Sequence, residues 1–217
     1  ILNIALEYEG QPFVFFEDYT YPDGKVFNLT RLSFYLSDLN YPGGPSLFSN
    51  DPVYIDLTNA HADMTSASKG FDLSLGELES TNDINQLSFN IGVGQTLNAT
   101  VPENYSSDND LSRSGEYWSS WNSYVFCKIE GNIDLDGDSV KETGMSLHLG
   151  SDAALREINL NGFNNSELNI VIDIKEIFQN GSDIFDIEST NRIHSLSQID
   201  QTIELMDNLA AAIRVRN

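Results

Sequence analysis

One continuous stretch reads E-Y-W-S-S-W-N-S-Y-V-F-C-K-I-E-G (Glu116–Gly131), then N-I-D-L-D-G-D-S-V-K-E-T-G (Asn132–Gly144), then M-S-L-H-L-G (Met145–Gly150). Its first part ends in a run with strand character, Tyr124–Glu130, and its last part contains a second such run, Met145–Leu149. An acidic loop joins the two runs, so we predict a β-hairpin. Both tryptophans, the single cysteine and one of three histidines lie in this stretch. We therefore expect the functional site to be here.

Short runs of alternating apolar and polar residues recur along the rest of the chain. The clearest are Leu87–Val93 and Leu168–Ile174, and turns rich in Gly, Pro and Asn separate such runs. Within the longer run Lys25–Asn40 the alternation changes phase. Since a shift of one residue moves side chains to the opposite face, we predict a β-bulge near Thr30–Arg31.

Helical spacing of apolar residues appears only near the C-terminus, at Ile199, Ile203 and Met206. Many short strands and one late helix indicate an all-β fold. We predict an antiparallel β-sandwich with one short C-terminal helix, forming a single domain over residues 1–217.

The charge of the chain restricts its partners. There are 33 acidic residues against 11 basic ones, a formal net charge of −22, which disfavours nucleic acid and anionic lipid and favours cations or basic partners.

Cys127 has no second cysteine to pair with and lies in an apolar run, so we expect a buried thiol. No apolar run has the length of a membrane span. Because the chain starts at Ile1 without methionine or signal peptide, we expect a targeting segment to precede it.

The acidic loop has the composition of a calcium site. Oxygen-bearing side chains that could surround a hard cation are those of Asn132, Asp134, Asp136, Asp138 and Glu142. Gly137 permits a tight turn among them. An EF-hand needs glutamate at the twelfth position, whereas Glu142 is eleventh from Asn132 and the flanks are strands. The open alternatives are a looser calcium loop and a solvated acidic hairpin.

The histidines suggest a different metal. On the strand Met145–Leu149, His148 points away from the face that carries the apolar residues, while His61 and His194 lie in loop or pre-helix positions. Two or three imidazoles could bind a soft or borderline metal, or each could be an ordinary hydrogen-bonding residue.

Trp118 and Trp121, with Tyr117, could form an aromatic platform for a ligand such as a carbohydrate, or anchor the core. The chain has no nucleophile elbow, phosphate loop or zinc-binding helix signature. We therefore expect a protein that is not an enzyme.

Four motifs, in this order, resemble those of the MbnP-like family. They are T-R-L-S-F-Y-L-S-D-L (Thr30–Leu39), L-S-F-N-I-G-V-G-x-x-L-N (Leu87–Asn98), Y-W-S-S-W-N-S-Y-V-F-C-K-I-E-G (Tyr117–Gly131) and L-H-L-G (Leu147–Gly150). The resemblance implies a β-sandwich and an extracytoplasmic location, in the periplasm or at the cell surface. It also implies a partner of the cytochrome c peroxidase type. Because many members in Bacteroidetes are lipoproteins, it further implies a lipid anchor on the preceding segment.

In copper-binding members of that family, Cu(I) is held by histidines and a kynurenine made by oxidising a tryptophan. By resemblance His148 matches the histidine of an H-x-G motif, and His194 falls near a histidine common in the family. His61 has no counterpart. The tryptophan spacing is W-x-x-W instead of W-x-W, Ala99 replaces a histidine, and the paired cysteines are absent.

Two hypotheses follow. The first is an exported, non-enzymatic copper-handling protein with His148 as ligand, His194 and His61 assisting, and Trp118 or Trp121 as the residue that is modified. The second is a surface ligand- or protein-interaction β-sandwich with a structural calcium in the Asn132–Glu142 loop and no copper site.

Overall fold

A computed structural model describes residues 1–76, 84–163 and 168–216. Its strands are β1 (Leu2–Tyr8), β2 (Gln11–Pro12), β3 (Tyr19–Thr20), β4 (Val26–Asn40), β5 (Val53–Asp56), β6 (Phe71–Leu73), β7 (Gln86–Ile91), β8 (Tyr117–Trp118), β9 (Ser123–Ile133), β10 (Thr143–Gly150), β11 (Arg156–Asn161), β12 (Leu168–Asp173), β13 (Gln179–Asn180), β14 (Asp183–Ile184), β15 (Arg192–Ile193) and β16 (Ile213–Val215). Its α-helices are α1 (Met64–Lys69), α2 (Gln95–Asn98), α3 (Ile174–Phe178) and α4 (Ile199–Ala211). Short 3-10 turns lie at Asn59–His61, Pro102–Asn104, Asp110–Ser112, Ser114–Glu116, Asp152–Ala154 and Leu196–Gln198.

Two main sheets share one apolar core. The larger sheet has the order β11-β7-β4-β9-β10-β15, with β3 and β5 on β4 and β8 on β9. The smaller sheet has the order β16-β12-β1-β2, with β6 on β1. Apolar residues of both sheets, such as Ile4 and Ile172 from the smaller and Phe34 and Leu147 from the larger, belong to a single buried cluster. The mainly β fold with a C-terminal helix is confirmed.

The expectation of a purely antiparallel sandwich is wrong in two places. Strands β1 and β12 pair in parallel, from Leu2 opposite Leu168 to Glu7 opposite Asp173, and β10 pairs in parallel with β15. Alternation of apolar residues reports which face of a strand is buried but not the direction of its neighbour. Strands far apart in sequence are free to pair in either direction, since no tight turn connects them.

The three shorter helices were not predicted. Each spans four to six residues, which is too short to show a helical period. The first has a local signal nonetheless, because the Asp63 side chain accepts from Ser66 N–H in a capping box. No helix of the described ranges has the combination of length and apolarity that a membrane crossing requires.

The predicted bulge in β4 is confirmed. The register of β4 against β9 shifts between Leu29, opposite Gly131, and Arg31, opposite Glu130. This extra residue lets Leu29 and Leu32 both enter the core, while Arg31 turns to the outer face beside Glu130.

The predicted hairpin forms from β9 and β10, which pair from Thr143 opposite Ile133 onward. Met145, Leu147 and Leu149 are buried, so Ser146 and His148 occupy the opposite face, as predicted. Cys127 is fully buried on β9, and burial raises the pKa of its thiol. An inert core thiol is the consequence.

Candidate metal centre

The centre lies on the outer face of the larger sheet, where β15 joins β10. Ser146 stands opposite Arg192 and Leu147 opposite Ile193. A parallel pair in this register carries His194, the residue after β15, to a place beside His148. The Gln198 side chain fixes that chain segment, because its Oε1 accepts from His194 N–H at 3.1 Å and its Nε2 donates to Arg192 O at 2.6 Å.

His148 and His194 direct nitrogens towards one point. The Oγ atom of Ser146 lies 3.2 Å from His148 Nε2 and 2.8 Å from His194 Nε2. The two ring centroids are 4.7 Å apart, with 30° between the ring planes. Two of the three predicted histidines therefore form a pair in which both rings approach the same hydroxyl.

The tryptophans form one wall of this centre. The Trp118 ring lies 4.9 Å from the His194 ring and 5.6 Å from the His148 ring, close to perpendicular to both. Trp121 packs against Trp118 at 4.3 Å between centroids. Both indoles are half-buried, and β8 holds them by pairing Trp118 with Ser123. The structure thus brings the W-x-x-W segment to the histidine pair.

A glycine makes room for the indoles. At Gly150 a Cβ atom would lie 2.6 Å from Tyr124 O and 3.2 Å from the Trp121 ring. Real Cβ atoms do not approach so closely, so any larger residue here would displace the tryptophan segment.

Glu130 completes the polar side of the centre. Its Oε1 lies 2.7 Å from His148 Nε2, and the hydrogen bond from His148 lowers the pKa of Glu130. Burial lowers the pKa of His194, and the neighbouring His148 and Arg192 side chains lower it further. The arrangement therefore favours an ionised carboxylate beside neutral imidazole at His194.

One atom of the centre lacks a partner. His148 Nδ1 is buried, and no hydrogen-bond partner for it is found in the part of the chain that the structure describes. Buried polar atoms are nearly always hydrogen-bonded, so an unpartnered nitrogen in a histidine pair fits a site that accepts a metal.

A buried ion network supports the segment before the tryptophans. Glu116 Oε1 accepts from Arg31 Nη2 at 2.9 Å and from the Tyr54 hydroxyl at 3.2 Å. Lys128 Nζ lies 2.8 Å from Glu116 Oε2 as an ion pair and donates its hydrogen bond to Gly115 O at 2.7 Å. These contacts tie the entry to β8 onto β4 and β9.

His61 does not join the other two histidines. It is fully buried, its Nε2 accepts from Leu6 N–H at 3.1 Å, and its Nδ1 contacts Leu57 O at 3.0 Å. Burial lowers its pKa, so the ring is a neutral connector between β1 and the chain after β5. Neither nitrogen is free for a metal while these bonds stand, so the structure does not support the predicted role of His61 as a ligand.

The acidic loop brings four carboxylates together. One oxygen from each of Asp134, Asp136, Asp138 and Glu142 lies within 4.8 Å of the others. Asp134 is buried, and its two oxygens accept from Gly137 N–H and Ser139 N–H at 2.7 Å each. The fifth predicted ligand, Asn132, lies within β9, where its Nδ2 donates to Asn28 Oδ1 at 3.3 Å.

Charges within that loop repel one another. The Asp138 N–H lowers the pKa of Asp136 by hydrogen bonding, but the charges of Asp138, Glu142 and Asp134 outweigh this and raise it. A bound cation would relieve the repulsion, which is why this cluster stays a candidate calcium site.

Sequence reasoning missed Ser146 and Glu130. Ser146 is two residues before His148 on the same face of β10. Glu130 lies opposite Ser146 on the neighbouring strand β9. The predicted hairpin contained this signal, because pairing Tyr124–Glu130 with Met145–Leu149 places the carboxylate diagonally from the histidine.

Comparisons with known proteins agree with this architecture. The sequence model of the MbnP family matches residues 1–195. The structure is similar to that of MbnP from Methylosinus trichosporium, with a TM-score of 0.56 and 14% sequence identity over 85% of this chain and 78% of that one. A search of curated proteins finds no significant match. Since the family model covers most of the sequence, this chain belongs to the MbnP family.

Proposed function

We propose that this protein is an exported, non-enzymatic copper-handling protein that holds copper between His148 and His194, beside Trp118. One observation carries the proposal: nitrogens of both histidines lie within 3.2 Å of the same Ser146 Oγ. A small movement of either ring would bring both to metal-binding distance of a common ion. Membership of the MbnP family supports copper as the metal.

The donor set suits a soft cation. Neutral imidazole binds copper well, and the lowered pKa of His194 keeps that ring neutral near pH 7. Copper bound here would supply a redox-active centre in contact with an indole. Trp118 touches both histidine rings, whereas Trp121 packs behind it. Trp118 is therefore the residue we expect to be oxidised to kynurenine, with dioxygen as the oxidant and with the indole C2 carbon released by water as formate.

For export, a lipid anchor on a preceding segment and a cytochrome c peroxidase-type partner, the family resemblance is the only support. Fractionation of native cells tests the first two. A protein found in the cytoplasm without lipid would contradict them.

Copper binding is tested by titrating Cu(I) against a competing chelator, with His148→Gln and His194→Gln as variants. The wild type should bind one copper per chain, and each variant should lose about tenfold or more in affinity. Asp138→Asn, which alters only the acidic loop, is the control and should bind normally. Unchanged affinity in both histidine variants would refute the site. Elemental analysis and intact mass of protein from its native envelope test loading and tryptophan oxidation directly.

A second candidate function rests on the acidic loop. Four carboxylates gathered within 4.8 Å could hold a structural calcium in a β-rich protein that binds a surface ligand or protein partner and has no copper site. Calcium should then raise the Tm of the wild type. In Asp138→Asn this gain should shrink, while Tm in chelator stays equal or rises because repulsion is relieved. Equal calcium effects on both proteins would contradict a calcium site.

A further inference from the structure

We propose that a cleft at the other end of the larger sheet from the metal centre binds a neutral carbohydrate. The cleft lies on β11, β7 and β4, is open to solvent and has a volume of about 320 Å³. That volume is at the lower end of the range for small-molecule sites. The inference does not involve copper, so its failure would leave the proposed function untouched.

The pairing of three strands builds the floor of this cleft. Ser88 of β7 stands opposite Asn159 of β11 and opposite Asn40 of β4, so each strand contributes one small polar residue to a row. Gln86 lies two residues before Ser88 and therefore on the same face of β7. Leu87, between these two, is buried, which shows that the polar row faces away from the core.

The floor offers hydrogen-bonding groups that the protein itself does not use. In the described part of the chain, the side chains of Gln86 and Ser88 have no hydrogen-bond partner. Asn40 donates one amide N–H to Asp38 O at 2.6 Å, which leaves its amide oxygen to accept from a ligand. Side-chain amides and hydroxyls both donate and accept, as the hydroxyls of a sugar do.

The cleft is uncharged although the chain is strongly acidic. None of the described residues that line it is charged, whereas the formal net charge of the chain is −22. The carboxylates two residues before Asn159 and Asn40 are both engaged. Glu157 Oε1 accepts from Asn159 at 3.3 Å, and Asp38 Oδ2 accepts from Asn90 at 3.0 Å.

This charge pattern selects the class of ligand. An anion would meet no basic side chain in the lining and would be repelled by the charge of the chain. A hard cation would meet no carboxylate in the lining. A neutral, polar ligand therefore fits the cleft best.

The wall of the cleft is apolar. Tyr41 and Pro42 form it, with Tyr41 buried and Pro42 exposed. Gly44 lets the loop fold back over Tyr41, since a Cβ atom at Gly44 would lie 1.9 Å from the Tyr41 ring. The proline ring is thus held beside the polar floor. A sugar ring has hydroxyls around its edge and C–H groups on its faces, so it suits an apolar wall next to amides and a hydroxyl.

NMR titration tests the site. ¹H–¹⁵N spectra of labelled protein are recorded with increasing maltose, cellobiose or N,N′-diacetylchitobiose. At least one disaccharide should cause saturable shifts, largest at Gln86, Ser88 and Asn159. Tryptophan emission should stay constant during the titration, because both indoles lie at the metal centre.

Single variants test the assignment. Asn159→Ala and Gln86→Ala should each weaken binding about threefold to tenfold, through the loss of one or two hydrogen bonds. Both positions are exposed, so neither change should affect folding. Asn180→Ala removes an exposed amide from β13, far along the chain from the cleft residues, and is the matched control that should bind as the wild type does.

Three results would overturn the inference. The first is the absence of saturable shifts with all three disaccharides. The second is a set of shifts centred on the indoles of Trp118 and Trp121, which would assign the sugar to an aromatic platform instead. The third is wild-type affinity in both Asn159→Ala and Gln86→Ala.

Discussion

Exchanging Glu116 for glutamine should destabilise the protein strongly. The side chain is 9% exposed and is the carboxylate in contact with Lys128, whose own side chain is 8% exposed. Glutamine has nearly the same shape, so packing is preserved while the negative charge is lost. Among the described residues, Lys128 would then contact only the Gly115 carbonyl and a neutral amide, so a buried ammonium would have no carboxylate in contact.

The structure sets the size of the effect. Removing one partner of a buried ion pair costs about 3–5 kcal/mol. Arg31 limits the loss, because it retains Tyr54 and lies 3.9 Å from both Asp56 and Glu130. The penalty thus comes mainly from Lys128, and we expect Glu116→Gln to lower the free energy of unfolding by about 3 kcal/mol.

Urea unfolding followed by far-UV circular dichroism measures this loss. The double variant Glu116→Gln with Lys128→Met removes the unpaired charge. Its loss of unfolding free energy should therefore be clearly smaller than the sum of the losses measured in the two single variants. Glu157→Gln on the exposed side of β11 is the control, within about 0.5 kcal/mol of wild type. A loss under about 1 kcal/mol in Glu116→Gln, or additive losses in the double variant, would refute the reasoning.

Three further predictions concern single residues. Burial lowers the pKa of His61 in the folded protein, so as pH drops below about 6.5 the unfolded chain binds a proton at His61 before the folded chain does. The free energy of unfolding should therefore decrease as pH decreases, by up to about 1.4 kcal/mol per pH unit. Urea midpoints measured between about pH 7 and 5 should show this decrease in the wild type and not in His61→Gln. Gly150→Ala should cost about 1–3 kcal/mol and weaken copper binding by displacing Trp121, whereas Gly144→Ala, where a Cβ meets nothing within 4 Å, should not weaken copper binding. Ser146→Ala should weaken Cu(I) binding in the chelator assay, since it frees both rings, but change stability by under about 1 kcal/mol.

Much of the fold could be predicted from the sequence, because alternation of apolar and polar residues along a strand indicates which side chains are buried. The pattern at Met145–Leu149 correctly predicted that His148 points away from the core. The phase change in β4 correctly predicted the bulge that places Arg31 next to Glu130. These are local properties of one strand or one hairpin. They need no knowledge of distant partners.

The rest depends on contacts between distant segments. Strand β15 pairs with β10 over two residues, which is too short to leave any periodic signal, and yet it delivers His194. His61 resembled a candidate ligand because sequence does not show that Leu6 N–H and Leu57 O occupy both its nitrogens. Glu130 was missed because the chain contains 33 acidic residues, so a single glutamate does not stand out as a candidate site residue.

Trp118 and Trp121 are the only tryptophans in the chain, and their rings lie 4.3 Å apart at the candidate centre. Tryptophan emission from this protein therefore arises entirely at that centre, since the many aromatic rings of the core are tyrosine and phenylalanine. A bound metal, a change at His148 or oxidation of an indole would each alter the whole signal and not a fraction of it. The unlabelled protein thus carries an optical reporter of its own site.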